Sequence, residues 1–491
     1  MLFNSHLFLL VFLPVVWGAF WTLRRRSRAV EWLLLGASFV FYAWGAPWLA
    51  ALIGASILVN YTIGRRLGSS GGSRLALLVA GITANLLLLG YFKYANFLLD
   101  NLNAVAGTAF APLAVALPLG ISFFTFQQVA YLVDVATSGE SERSLRRYAL
   151  FVSYFPQLVA GPIVHHRQFL PQVAARTYAG VTAKDIGVGL TLVAIGLAKK
   201  VLCADSVAPM ADAVFQQAGD GLGAIDAWIG TLAFTLQIYF DFSGYADIAV
   251  GLGRLFGFRL PVNFASPYQA TSIIDFWRRW HITLSEFLKS YVYIPLGGSR
   301  KGFPRQIINL LAVMLVGGLW HGANWTFVAW GGAHGVALAC NHIWRRRFAG
   351  VGRWPGALVG RTATFVFVAC AWVLFRAGTF AEAWDVWRAM AGLTVDTTGP
   401  VAFTLADSVA LGAFNAGRMF PVAPTQLLLL LGGLLAIVWG LPNATWLAGW
   451  VERRLDEPRA TLLPVAAAVG LLLALATLSM AAPREFIYFR F

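Results

Sequence analysis

The chain has 491 residues, of which 58% are apolar and only 12% charged, about half the charged share of an ordinary soluble domain. With a mean hydropathy of +0.68 there is too little polar surface to hold the chain in water, so the solvent it faces is lipid and a soluble globular fold is excluded. The 37 basic and 22 acidic residues leave a net charge of +15, but the basic residues sit in short gaps between apolar runs rather than on a polar domain. That pattern marks the cytoplasmic side of a membrane protein and argues against a nucleic-acid partner.

Apolar segments run at about 3–23, 29–46, 47–64, 75–99 and 117–136. Arginine clusters alternate with uncharged turns between them: Arg24, Arg25, Arg26 and Arg28 after the first, Ala46-Pro47 after the second, Arg65, Arg66 and Arg74 after the third, and Arg143, Arg146 and Arg147 after the fifth. Placing the arginines inside puts the N-terminus outside the membrane and accommodates five spans without conflict. No basic n-region and no small-residue cleavage site precede Arg24, so the first segment reads as a span and not as a cleavable signal.

The middle of the chain, about 150–335, stays apolar but is interrupted by Gly, Pro and polar residues, as in YFPQLVAGPIVHHRQF, QIYFDFSGYADIAVGLG and FWRRWHITLSEFLKSYVYIPLGG. Backbone can break at membrane depth only where protein or a water-filled cavity satisfies it. Short, tilted or re-entrant helices around an internal cavity are expected there. Regular spans return near 325–344, 362–376, 425–447 and 461–481, with a weakly amphipathic interfacial segment at about 378–424 that puts Trp384, Trp387 and Ala391 on one face. The expected fold class is an all-α polytopic membrane protein: about ten to twelve transmembrane helices, with short re-entrant helices around an internal cavity. The whole chain, 1–491, reads as a single membrane domain, with a helical bundle at 1–149, a core of broken helices at 150–335 and C-terminal helices at 336–491.

Ionisable side chains inside a membrane are costly and mark function. His321 lies in LVGGLWHGANW. A helix from Pro304 to Trp320 rises only about 25 Å, short of the roughly 30 Å hydrocarbon core, so the imidazole falls within the membrane or at its edge. Gly317, Gly318 and Gly322 flank it and would let a slender substrate approach. His281, in DFWRRWHITLSEF, follows Arg278 and Arg279, whose charges suit either a polar donor's head group or an internal pair with Asp275. Asp241, Ser243, Tyr245 and Asp247 form a polar strip at i, i+4 spacing that reads as structural glue. His165 and His166, after Gly161-Pro162, read as loop residues and not as ligands. No metal-ligand spacing, Walker A motif or dinucleotide glycine pattern is present, and Cys203, Cys340 and Cys370 form neither a disulfide framework nor a zinc motif. No metal site and no permanently bound cofactor are expected.

LPLGISFFTFQQVAYLVD (117–134), YFPQLVAGPIVHHRQFLPQ (154–172), QIYFDFSGYADIAVGLGRLFGFRLPVNFASPY (237–268), DFWRRWHITLSEFLKSYVYIPLGG (275–298), GGLWHGANWTFVAWGGAHG (317–335) and the terminal FIYFRF (486–491) together resemble the membrane-bound O-acyltransferases, nearest the bacterial alginate O-acetyltransferase subunit and its D-alanyl-transferring relatives. The resemblance implies an O-acyltransferase whose transmembrane helices form a ring around a central funnel or tunnel, with His321 and His281 as the family's two recurrent histidines. It implies a cytoplasmic acyl thioester, acetyl-CoA, as donor, and an exopolysaccharide outside the bacterial inner membrane as ultimate acceptor. Periplasmic, hydrolase-like O-acetyltransferase partners complete the expectation. His321 would serve as general base or as acyl carrier. Asn324 or Trp320 would donate to the oxyanion, and Arg278, Arg279 and Asp241 would contact the donor. The competing reading is a transporter or scaffold subunit of a polysaccharide export system with no acyl chemistry of its own; internal symmetry, its signature, is not visible.

Overall fold

A computed structural model describes residues 1–69, 74–159, 161–219, 221–348, 356–394, 424–457, 459–480 and 484–490. The described residues form helices and no strand, and fall into two compact units, Met1–Thr191 with Ile248–Pro261, and Leu192–Asp247 with Val262–Phe491.

The first unit begins with α1 (Leu7–Leu23), α2 (Ser27–Ala43), α3 (Trp48–Ser69), α4 (Arg74–Ala106) and α5 (Ile121–Ser138). These are the five N-terminal segments expected from hydropathy. Leu10, Val15, Leu87 and Leu98 stay exposed on their outer faces, as suits a surface solvated by acyl chains. The inward faces carry Phe8, Phe12 and Phe41, which cluster with Phe155 at ring-centroid distances of 5.5–6.3 Å. Polar groups pair across the buried faces: Asn85 Nδ2 on α4 donates to Asn60 Oδ1 on α3 at 2.6 Å. Glu31, 1% exposed, takes Arg146 of α6 (Leu145–Ser153) at 2.6 Å. The short helix α7 (His166–Ala174) completes the polar end of this unit.

The boundary between the units falls within two long helices, α8 (Ala183–Gln216) and α9 (Ala224–Leu255). The second unit continues with α10 (Ile273–Arg279), α11 (Ile282–Leu288), α12 (Phe303–His321), α13 (Trp325–Arg347), α14 (Ala357–Arg376), α15 (Phe380–Met390), α16 (Pro424–Gly440), α17 (Ala444–Arg454) and α18 (Arg459–Leu478). Of the stretch 150–335 expected to hold broken helices, the segment from 262 to 302 is interrupted, whereas QIYFDFSGYADIAVGLG lies within the continuous 32-residue α9. The interrupted segment holds only α10, α11 and single turns.

Five of the described helices are long and apolar enough to cross a membrane alone, and the bent pair α16 and α17 makes a sixth. The count falls below ten to twelve because several apolar stretches fold as shorter helices, such as Leu7–Leu23 and Leu463–Leu478. The span expected at 425–447 is broken by a 64° bend. Pro442 has no N–H for a continuing helix, and Asn443 caps a new one by accepting from Trp446 N–H at 2.8 Å. In the expected interfacial segment, Trp384 of α15 is exposed while Ala383, Val386 and Ala389 are buried. Trp387 is tied to α14 through Nε1–H donating to the Cys370 carbonyl at 3.1 Å, so the two tryptophans do not share one free face. Residues 395–423 of that segment lie outside the described residues.

Candidate active site

Helices α12 and α13 form a tight antiparallel pair because glycines face each other across it. A Cβ on Gly318 would run into the Phe327 carbonyl, and one on Gly331 into that of Met314. Gly318 and Gly322, expected to admit a substrate, therefore serve packing instead: a Cβ on Gly322 would overlap the Phe327 ring. This pairing fixes the end of α12, where His321 sits 3% exposed.

His281 comes from the turn between α10 and α11. Its φ of +42° is one of only three positive values at non-glycine positions among the described residues, a conformation that costs about 1–2 kcal/mol for an L-residue. The preceding loop holds the turn there. Ile282 N–H donates to the Asn263 carbonyl at 3.0 Å and Ala265 N–H to the Arg279 carbonyl at 2.9 Å. The Asn263 side chain fixes the imidazole as well. Its Oδ1 accepts from Thr283 N–H at 3.3 Å and from Thr283 Oγ1 at 3.0 Å, and lies 3.1 Å from His281 Nδ1. An oxygen that accepts two donors requires the proton on His281 Nδ1, which leaves Nε2 with its lone pair. That Nε2 is buried and has no hydrogen-bond partner among the described residues. A ring held in one tautomer by a buried acceptor is the arrangement that prepares an imidazole to take a proton.

The two imidazoles lie 6.3 Å apart between centroids. Allowing for the ring radii, their nearest nitrogens are at least about 4 Å apart, too far for a direct hydrogen bond yet close enough for one oxygen to bridge. Trp320 packs on both rings, 4.9 Å from His321 and 5.9 Å from His281. Trp330, Phe375 and Tyr488 cover the rest of His321 at 5.2–5.6 Å. Phe242 stands edge-on to His281 at 4.8 Å. His281 is 0% and His321 3% exposed, enclosed by these large aromatic rings.

Tyr488 and Phe486 belong to the terminal segment, which is tethered to α9. Ile487 N–H donates to Asp241 Oδ2 at 2.6 Å. The other Asp241 oxygen pairs with Lys200 of α8 at 2.9 Å. Lys200 also meets Asp205 at 2.8 Å and donates to the Glu485 carbonyl at 3.4 Å. Asp247 pairs with Lys199 at 2.6 Å. Both acids of the α9 strip therefore pair with lysines of α8.

The remaining candidates separate by placement. Arg279 is paired with Asp275 at 3.0 Å, whereas Arg278 is exposed. Asn324 is a helix cap with both ends of its amide engaged: Oδ1 accepts from Thr326 N–H at 3.1 Å and Nδ2 donates to the Gly378 carbonyl at 2.8 Å. Asp241 serves the tether. Sequence reasoning missed Asn263 and Tyr488, which adjoin the imidazoles. His334 is a third fully buried imidazole, whose Nδ1 accepts from Trp277 Nε1–H at 3.3 Å and whose ring is 4.7 Å from Trp330.

Residues 77–397 match the sequence profile of the membrane-bound O-acyltransferase family, MBOAT. The chain is 40% identical to the peptidoglycan O-acetyltransferase of Helicobacter pylori over 80% of each chain. It is 43% identical to the probable alginate O-acetylase AlgI of Azotobacter vinelandii, covering 79% of this chain and 78% of the relative. More distantly, it is 27% identical to the teichoic acid D-alanyltransferase of Bacillus subtilis, over 53% of this chain and 69% of that one. The chain belongs to the membrane-bound O-acyltransferase family and is a multi-pass membrane O-acyltransferase.

Proposed function

We propose that the chain carries acetyl groups from acetyl-CoA in the cytoplasm across the bacterial inner membrane for O-acetylation of an alginate-like exopolysaccharide, in concert with a periplasmic hydrolase-like O-acetyltransferase. The observation that supports this reading above all is the pair of buried imidazoles 6.3 Å apart, one of them held in a single tautomer by Asn263. The O-acetylase relatives support acetyl over other acyl groups. The arginine clusters between the N-terminal helices favour a cytoplasmic placement of those loops and a periplasmic N-terminus.

In this mechanism an acceptor hydroxyl sits between His281 and His321. His321 takes the hydroxyl proton as the oxygen attacks the thioester carbonyl, a general-base contribution of about 10²–10⁴-fold. The carbonyl carbon gains a C–O bond, the tetrahedral intermediate collapses with cleavage of the C–S bond, and the imidazolium returns its proton to the departing thiolate. Before attack the hydroxyl's single O–H rests on the Nε2 lone pair of His281, which orients the oxygen, and it turns to His321 as the C–O bond forms. Trp320, in contact with both rings, is the nearest ring N–H for the oxyanion, and exposed Arg278 meets the donor's phosphates. Entry of both reactants displaces part of the aromatic wall, most readily the tethered terminal segment with Tyr488.

The test is mass spectrometry of surface polymer from cells lacking the gene, complemented with wild-type chain or His321→Ala. The expected result is polymer exported in both but acetylated only with the wild type. Acetylated polymer from the His321→Ala cells rejects the base assignment, and loss of export in those cells favours the transporter or scaffold reading. A hydroxylamine-labile acetyl group on wild-type His321 would replace the general-base step with covalent carriage.

A further inference from the structure

We infer that Asp134, His165 and His166 form a binding site for a divalent transition metal, with zinc the best match, that ties the end of α5 to the start of α7. The sequence reading placed these two histidines in a loop without ligand function. The structure instead brings both rings to one carboxylate. His165 Nε2 is 2.8 Å and His166 Nδ1 3.6 Å from the same oxygen, Asp134 Oδ2. The three donor atoms all lie within 4.8 Å of one another. In a tetrahedral zinc site with bonds of about 2.0–2.1 Å, donors are about 3.3 Å apart, so small side-chain rotations bring all three onto one ion. His166 Nδ1 is buried and has no hydrogen-bond partner among the described residues, although its ring is fixed edge-on against Tyr131 at 5.3 Å and Phe151 at 6.4 Å. A buried nitrogen held beside a carboxylate, but beyond hydrogen-bond reach of it, is accounted for by a cation between them.

The chemistry of the set agrees. Two imidazoles and one carboxylate are a common zinc donor set, with a fourth position left for water. One cation now competes. Arg167 Nε lies 3.7 Å from Asp134 Oδ2, but its side chain is 60% exposed and can swing into solvent. Metal binding also moves the His165 proton to Nδ1 and gives up the long 3.4 Å contact from Arg167 N–H.

The test uses the full chain in detergent, purified through an affinity tag without histidine, stripped with EDTA and equilibrated with zinc or cobalt chloride. The expected result is one tightly held zinc per chain by elemental mass spectrometry, and a cobalt form with the visible absorption of a four-coordinate ion. Asp134→Asn and His166→Ala should weaken zinc at least tenfold while eluting as the wild type, and His342→Ala should leave binding unchanged. If these variants fail to fold, zinc-edge X-ray absorption of the wild type decides: two imidazole shells support the site and an oxygen-only shell rejects it. A wild-type chain that keeps no zinc through desalting, or folded variants that hold it equally well, overturns the inference.

Discussion

Replacing Asn263 by alanine removes the one oxygen that accepts from His281 Nδ1–H, Thr283 N–H and Thr283 Oγ1–H. All three residues are at most 3% exposed, so water does not take over readily. At about 0.5–1.5 kcal/mol per bond, loss of the set destabilises the α10–α11 turn by about 1.5–4.5 kcal/mol. The imidazole loses its fixed tautomer and its orientation, and removal of comparable orienting groups beside a working histidine costs about 10–100-fold. Asn263→Asp separates orientation from stability. A carboxylate keeps every acceptor contact and gives up only Nδ2, which has no partner among the described residues. The assay is transfer of labelled acetyl from acetyl-CoA to acceptor in isolated membranes, normalised to chain that elutes monodisperse in detergent. Asn263→Ala should lose 10–100-fold and Asn263→Asp should recover most of it. Full activity in folded Asn263→Ala refutes the claim that this side chain prepares His281.

Three more outcomes test the surrounding architecture. Asp241→Ala leaves Lys200 buried with one fewer carboxylate and releases Ile487 N–H. It should destabilise the chain by about 3–5 kcal/mol, seen as a lower melting temperature in detergent, with Asp241→Asn milder. Gly331→Leu forces α13 away from the Met314 carbonyl and should cost at least the roughly 1–3 kcal/mol of overpacking, whereas Gly432→Leu on α16, which meets nothing, should be neutral in the same melting assay. Arg278→Ala should raise the KM for acetyl-CoA several-fold with kcat little changed, because an exposed arginine contributes binding and not chemistry; a change confined to kcat contradicts that role.

Much of the frame is legible in the residues. Hydropathy alone locates α1 to α5. The 17 residues from Pro304 to Trp320 anticipate a helix ending at His321, and the glycines and prolines around 262–302 announce its interrupted helices, whereas the glycines of α9 do not break it. The kink at Pro442 was readable from the Leu-Pro-Asn sequence and was lost inside a long hydrophobic average. The site's supports are hidden for a different reason: they are long-range pairs of ordinary residues. Asn263 looks like any loop asparagine until the fold places it against His281. Lys199 and Lys200 follow an apolar run with no local partner in the sequence, yet they answer the acids of α9 across a helix contact that Gly244 permits by lying against the Gly196 carbonyl. Tyr488 reaches His321 from the far end of the chain, and nothing in local spacing predicts that.

The central claim is that His321 and His281 act on one acyl transfer. The most direct measurement is single-turnover transfer of labelled acetyl from acetyl-CoA by wild type, His321→Ala, His281→Ala and the double variant, each as folded protein in membranes. Each single variant should fall by at least about 10²-fold, and the double variant should fall little further, because two groups serving one proton transfer do not contribute additively. Undiminished transfer in His321→Ala, or losses that multiply fully in the double variant, would contradict the account.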